Sequence, residues 1–426
     1  TIGPHGNPRR PKPAMNLLLA ATFCAVALTS APQFHEDHVF PPEKVHNHSA
    51  TLVETPEGNL LVAWFHGRGE KTDDTLILLG ARKEKGAAQW SRPFLLADNP
   101  GLPDQNPVLF IDPEGRLYLW WISSLANTRE TFLLQYRTAT DYEGPGAPKW
   151  DWNGNILEQP IGLADAMETM AAGVDAKFGA RFDNETKYRS RLDHGVRMSQ
   201  VDGTYLSEWK DPVFGRLTGM MSWMPRTAPL MLSGTRLAIG LYSDLYLTSM
   251  TAFTDDGGKT WEYGAPMADY GLIQPALIAR EDGTVVAYGR DKSPNKKIRV
   301  AESDDGGVHW HRFYDLEIPN PDSSVAVLKL KTGPWVLICN DLTGTDGRHG
   351  RSRLTAYLSD DEGKTWPVRR VIEDSTKGPR YHPHVSYPSV IQTSDGQLQV
   401  AYTYTLDSGE CIKRVAFNEE WLRAQD

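Results

Sequence analysis

The chain has 426 residues, 40% of them hydrophobic, enough for a large buried core divided among one to three domains. A formal net charge of −9 excludes the broadly basic surface of a nucleic-acid binder, so any anionic ligand needs a local basic pocket. Gly 37, Pro 29 and Trp 13 predict many turns and many aromatic packing sites.

The first segment, residues 1–31, reads as an N-terminal extension and signal peptide. MNLLLAATFCAVALTSA begins at Met15, has Arg9, Arg10 and Lys12 upstream, and ends in small residues near Ala31. The apolar run from Leu17 to Leu28 is too short to span a bilayer comfortably. Phe23 before Cys24 departs from a lipoprotein-type signal. The segment predicts a secreted or periplasmic protein with no membrane span. It leaves Cys339 and Cys411, whose pairing stays open. No Cys/His cluster has zinc spacing, and neither a metal nor another cofactor is expected.

Residues 32–426 are read as one domain built from a repeated phrase. ATLVETPEGNLLVAWF is followed by PVLFIDPEGRLYLWWI, PLMLSGTRLAIGLY, PALIAREDGTVVAYGR, VAVLKLKTGPWVLICND and PSVIQTSDGQLQVAYTY. Each has apolar alternation on both sides of a Gly-containing turn, the signature of an antiparallel hairpin. The turn glycines are Gly58, Gly115, Gly234, Gly283, Gly333 and Gly396. A second phrase ends in Trp after five of them, at Trp90, Trp150, Trp261, Trp310 and Trp366. Two hairpins make a four-stranded sheet, and radial repetition of such sheets makes a β-propeller. The expected fold is therefore all-β, a six-bladed propeller. A strand from the segment before His48 is expected to pair with the strand CIKRVAF and close the ring.

Gly115 and Gly234 are about twice as far apart as the other turn glycines, and Trp209 lies between them. Seven blades is the alternative. Leu163, Ala166, Met167, Met170, Ala171, Val174 and Phe178 recur at helical spacing, so residues 151–212 are read as a partly helical insertion.

TDDGGKTW, SDDGGVHW and LSDDEGKTW share the pattern Ser/Thr-x-Asp-x-Gly-x-x-Trp. The carboxylate and hydroxyl can bond the turn's own amides, Gly permits the bend, and Trp packs between sheets. These turns are predicted to be structural rather than catalytic. The repeat places the chemistry elsewhere, on the rim where each hairpin's first strand starts and its second ends. About ten residues before each turn glycine stand His48, Asn106, Arg226, Gln274, Asp322 and Tyr387. About eight after it stand His66 with Arg68, Ser123, Tyr242 with Asp244, Arg290 with Asp291, Asn340 with Asp341, and Tyr404. Ionisable residues collected on one rim predict a pocket.

The three Trp-terminated turns, in register with six hairpins, resemble the Asp boxes of sialidases (neuraminidases). IQPALIAREDGTVVAYGRD and YPSVIQTSDGQLQVAYTY resemble secreted bacterial BNR-repeat proteins of that superfamily. The resemblance covers about residues 45–422. It implies a propeller acting on a glycan or oligosaccharide at one end of its axis. It also implies three arginines around a carboxylate, a Tyr nucleophile paired with a Glu, and an Asp acid/base. Tyr387 matches the nucleophile, and Asp73 or Asp74 falls near the acid/base. The match departs elsewhere. His48 stands where the first arginine would be, Ser323 and Ser324 where the Glu would precede the fifth hairpin, and Asn340 where another arginine would be. Arg226, Arg290 and one of Arg348, Arg351 or Arg353 remain as anion clamps.

Three readings stay open. A glycosidase needs an acid and a nucleophile, which Asp74 or Glu70 with Tyr387 supply. A β-eliminating lyase on a uronic acid needs a base and a carboxylate clamp, which His48, Tyr387 and Arg290 supply. A non-catalytic glycan-binding propeller has the same fold. The substrate-binding residues expected in every case are Arg68, Asn106, Arg226, Asp244, Gln274, Arg290, Asp291, Asn340 and Arg348.

Overall fold

All six repeated phrases fold as antiparallel hairpins, and every turn glycine has the positive φ that a side chain would resist, from 46° at Gly234 to 115° at Gly333. In this computed structural model the described residues are 31–70, 75–183, 186–200, 217, 219–343, 349–376 and 384–424, with Thr1 and Gly3. The signal-peptide segment lies outside them. Residues 32–426 form one compact unit, separate from residues 1–31.

Each hairpin is the inner half of a four-stranded blade. In the first blade His46–Glu54 pairs with Leu60–Gly67, then Ile77–Lys83 and Phe94–Ala97. The second runs Asp104–Ile111, Leu117–Ser124, Phe132–Ala139 and Trp152–Ile156. The third has a broken inner strand, Met224–Pro225 and Leu230–Ser233, both on Arg236–Ser243, followed by Thr248–Thr254 and Glu262–Tyr263. Pro225 and Pro229 lack the amide donors a continuous ladder needs. The fourth blade starts at Leu272–Ala279 and ends at Arg312–Pro319; the fifth starts at Ala326–Lys329 and ends at Val368–Asp374.

The sixth blade closes the ring as expected. Val385–Gln392, Leu398–Leu406 and Gly409–Phe417 are completed by Phe34–His38 from the other end of the chain, in register from Phe34 opposite Phe417 to His38 opposite Lys413. This pairing covers the outer edge of Gly409–Phe417 and ties the two ends of the domain together. The fold is thus a six-bladed β-propeller. The expected insertion needs one correction: Trp152–Ile156 is the outer strand of the second blade, so the helical part starts later, at Leu163–Phe178, and continues through Ala180–Asp183 and Thr186–Ser199. Trp209 lies outside the described residues. Met167, Met170, Val174 and Phe178 form the apolar stripe that packs with Leu245, Tyr246 and Tyr270, roofing the third and fourth blades on one rim.

The Trp-terminated turns behave as structural staples. In the third blade Asp256 accepts from the Thr260 amide at 3.0 Å and the Thr260 hydroxyl at 2.7 Å, while the Thr254 hydroxyl accepts from the Gly258 amide at 2.9 Å. Ser359, Asp361, Gly363 and Thr365 repeat this network in the fifth blade. The Trp of each box reaches the preceding blade: Trp261 meets Tyr136 and Trp120, and Trp366 meets Tyr288.

A second regularity of the repeat positions the site. Four inner strands carry the same one-residue bulge near their starts. It falls between His48 and Thr51, Gln105 and Val108, Ile273 and Ala276, and Ser386 and Ser389. At each bulge one non-glycine residue is left-handed: Ser49 (φ 63°), Asn106 (54°), Gln274 (55°) and Tyr387 (60°). Each such residue costs roughly 1–2 kcal/mol. A bulge re-aims a side chain out of the pleat, and three of these four side chains join one hydrogen-bond network at the axis.

Candidate active site

Tyr387 is the centre of that network. Its ring is buried, 8% exposed. Its hydroxyl accepts from Arg290 Nη1 at 2.6 Å and from Gln274 Nε2 at 3.4 Å. The Tyr242 hydroxyl accepts from Gln274 Nε2 at 3.1 Å and from Asn106 Nδ2 at 3.0 Å. One chain of polar contacts therefore runs across the axis from the second blade to the sixth. Arg290 is fixed from its other side by Asp322, at 2.6 Å from Nε, and Asp322 also meets Lys292 at 3.2 Å.

Three guanidinium groups surround the Tyr387 ring, with Arg226, Arg351 and Arg290 at 5.0, 5.3 and 5.9 Å from its centroid. Burial alone would raise the phenol's pKa. Arg290 and Arg351 outweigh it and hold the phenol below its ordinary value. Tyr242, buried beside Asp244 and Tyr387 itself, is pushed the other way and stays a neutral phenol. The same ring system thus holds one activated and one inert tyrosine.

The three arginines are not equivalent. Arg226 donates to the backbone carbonyls of Tyr387 (2.6 Å), Pro388 (3.3 Å) and Ala50 (3.4 Å), a strut between the third, sixth and first blades. Arg290 is committed to Asp322, Gln274 and Tyr387. Arg351 donates to the Asp322 carbonyl at 2.6 Å, lines the open cleft, and has a buried Nε with no partner among the described residues. Of the alternatives to it, Arg353 is tied to Asp341, and Arg348 lies outside the described residues.

His48 lies against Tyr387, ring centroids 4.1 Å apart. Its Nδ1 is 2.9 Å from the Thr403 hydroxyl, which also accepts the Ser49 amide at 3.2 Å. Burial, then the charges of His46, Arg351, Arg226 and Arg290, drive its pKa well below the usual value, so the imidazole is neutral. Outward from His48 opens a cleft of about 790 Å³ between the first and sixth blades, walled by Lys44, His46, Arg68, Glu70, Arg351 and Glu410. That volume suits the end of an oligosaccharide.

The remaining expected residues divide clearly. Arg68 and Glu70 stand exposed on the cleft wall. Asp244 is half-buried and faces Arg290 and Lys292. Asp291 is fully buried and holds the turn that follows it through the Ser293 and Lys297 amides. Asn340 bonds Ser323 and the carbonyls of Arg353 and Val385, joining the fifth blade to the sixth. Asp73 and Asp74 lie outside the described residues. In place of a Glu before the fifth hairpin, where Ser323 and Ser324 stand, the Tyr387 hydroxyl meets the amide of Gln274 from the start of the fourth blade, with Asp322 behind Arg290. Sequence reasoning did not single out His46 and Glu410, whose side chains meet at 2.8 Å. The alternation His46-x-His48 carried a signal for the first; nothing near Gly409 marked the second.

Comparison with known proteins agrees with this architecture. The BNR repeat-like domain family matches residues 58–171 and 182–400. A Micromonospora viridifaciens sialidase is 25% identical over 183 residues, 41% of this chain and 26% of its own length. A Vibrio cholerae sialidase is 25% identical over 209 residues, 42% of this chain and 24% of its own. The chain thus spans about a quarter of these relatives' length. Among solved structures, the Ruminococcus gnavus intramolecular trans-sialidase superposes with TM-score 0.61 at 13% identity, covering 90% of this chain and 97% of that one. The leech intramolecular trans-sialidase gives 0.61 at 13%, covering 91% and 71%. A Dyadobacter fermentans protein of unknown function gives 0.64 at 15%, covering 90% and 97%. With the family matched across most of the chain and the propeller shared with sialidases, this protein belongs to the BNR repeat-like domain family.

Proposed function

We propose that the protein is a secreted exo-acting glycoside hydrolase that releases a terminal acidic sugar from a glycan, with Tyr387 as nucleophile. The observation that carries this reading is the Arg290–Tyr387 bond of 2.6 Å, with Arg290 and Arg351 lowering the phenol's pKa, behind His48, which lines the inner end of an open cleft. An ordinary phenol, with pKa about 10, is a poor nucleophile at neutral pH. Arg290 stabilises the phenolate, and Arg351, whose side chain lines the cleft, offers guanidinium donors to a sugar carboxylate. Protonation of the leaving oxygen falls to a group on the cleft wall, where Glu70 and His46 stand. The activities named for the sialidase relatives point the same way.

The neutral His48 against Tyr387 favours a second reading, β-elimination from a uronic acid, with one of the pair taking the C5 proton. Product analysis on sialosides, uronate-capped and rhamnose-capped glycans separates the two. Free sugar with no new ultraviolet absorbance supports hydrolysis. An unsaturated, absorbing product supports the lyase. Binding without any product supports a glycan-binding module and overturns the enzymatic reading.

A further inference from the structure

We infer that His46, oriented by Glu410, is the general acid of this site. The inference rests on the hydrolase reading above and deepens it. The cleft holds a titratable pair that the Tyr387 network does not use. His46 Nδ1 is 2.8 Å from Glu410 Oε2, and the same carboxylate oxygen accepts the Asn47 amide at 3.0 Å. Glu410 is thereby fixed by the backbone of the strand that carries His46. The pairing assigns the proton on Nδ1 to the carboxylate and leaves Nε2 with no hydrogen-bond partner among the described residues. The His46 and Glu410 side chains are 25% and 26% exposed, and both line the cleft beside His48.

The arrangement across the cleft has a direction. His46 lies on His48 with ring centroids 5.4 Å apart, and His48 lies on Tyr387 at 4.1 Å. Two residues apart on one strand, His46 is the outer group and His48 the inner. Phe65 meets the edge of both rings and locks their orientation. Their surroundings differ sharply. His48 faces Arg226, Arg290 and Arg351 and is held neutral. His46 faces Glu410 and Glu70, with His48 beside it, and His384 lies near Glu410 in the same cleft. Burial works against charge on His46, but the Glu410 hydrogen bond and charge outweigh it and raise its pKa above the ordinary value. Tyr387 is shifted down and His46 up, the divergence expected of a base-like and an acid-like partner.

The reaction then balances without any further reagent. The Tyr387 phenolate oxygen forms a bond to the anomeric carbon. The bond from that carbon to the leaving oxygen breaks, its electron pair stays on the oxygen, and His46 Nε2 gives that oxygen its proton. Neutral His46 next takes a proton from water as the water oxygen attacks the anomeric carbon. The tyrosyl–sugar bond breaks and the phenolate is restored. Glu410 touches no reacting atom; it is a positioning residue.

The test compares leaving groups, because a group that departs as a stabilised anion needs no proton. His46→Gln, Glu410→Gln and Glu70→Gln are assayed on an alkyl glycoside and on a nitrophenyl glycoside of the same sugar. Because His46 also serves the second step, which is common to both substrates, the contrast is read in kcat/KM: for His46→Gln the expected loss is about a hundredfold or more on the alkyl glycoside and under about tenfold on the nitrophenyl glycoside. Glu410→Gln gives the same pattern more weakly and lowers the His46 pKa seen by NMR of the imidazole protons. An equal loss of kcat/KM on both substrates would overturn the inference and leave His46 a structural residue. So would a leaving-group-selective loss in Glu70→Gln with His46→Gln unaffected. Either result leaves the Tyr387 reading standing. Wild-type turnover in Tyr387→Phe, measured in parallel, would remove Tyr387 as the nucleophile, on which the underlying reading rests.

Discussion

Arg290→Gln is the substitution that most sharply separates an activated tyrosine from a merely buried one. It removes the charge next to Tyr387 while keeping a planar, hydrogen-bonding side chain. The wild-type bond is short, 2.6 Å, charge-assisted, and made in a site where neither partner is more than 8% exposed. A hydrogen bond to a charged group contributes about 1.5–3 kcal/mol. If that stabilisation acts on the phenolate, turnover should fall by about ten- to a hundredfold, since 1.36 kcal/mol is tenfold in rate. The phenol's pKa should move upward, because burial then acts with less opposition. Asp322 keeps Lys292 at 3.2 Å, which moderates the cost of its lost arginine and lets the variant be assayed folded. The readout is the ultraviolet titration of tyrosinate, with Tyr387→Phe as the blank, together with kcat on the best substrate. An unchanged titration with wild-type turnover would refute the claim that Arg290 activates Tyr387.

Two other substitutions probe the frame. Asp361→Ala should cost about 1 kcal/mol or more in chemical denaturation, because it removes bonds to the Thr365 amide and hydroxyl, yet leave turnover unchanged. Those bonds outweigh partial burial and hold the Asp361 carboxyl below its usual pKa, so its share of stability is present above the unfolded value, near 4, and is lost as pH falls through the lower folded value. A stable but inactive Asp361→Ala would place chemistry in the boxes after all. Arg226→Met should destabilise by about 2–4 kcal/mol, since it strips the buried carbonyls of Tyr387 and Ala50 of their donor. Equal stability in thermal and denaturant unfolding would show that Arg226 is no strut.

The propeller was legible because each blade repeats its punctuation. Gly58 and its five counterparts mark the hairpins, and Trp261 and Trp366 mark the joints between neighbouring blades. The closing strand Phe34–His38 was inferable only as a missing partner for Gly409–Phe417. Tyr387, Gln274 and Asn106 were found by counting back from the turn glycines, and the shared bulge explains why the count works. The same count also collected Arg226, whose guanidinium serves the backbone, because position on a rim does not reveal what a side chain bonds. Glu410 escaped it altogether. It sits in a hairpin of the sixth blade and reaches His46 in the first, a contact made only when the ring closes. The strand Trp152–Ile156 was read into the insertion because a short, largely exposed strand on a blade's outer edge carries little apolar alternation.

The central claim is that the hydroxyl of Tyr387 does the chemistry. Tyr387→Phe removes that one oxygen and keeps the ring that packs on His48 and under three guanidinium groups. Steady-state kinetics of this variant, on whichever acidic glycan the wild-type protein cleaves, should show kcat reduced at least about a hundredfold with KM nearly unchanged. Wild-type kcat in Tyr387→Phe would contradict the account.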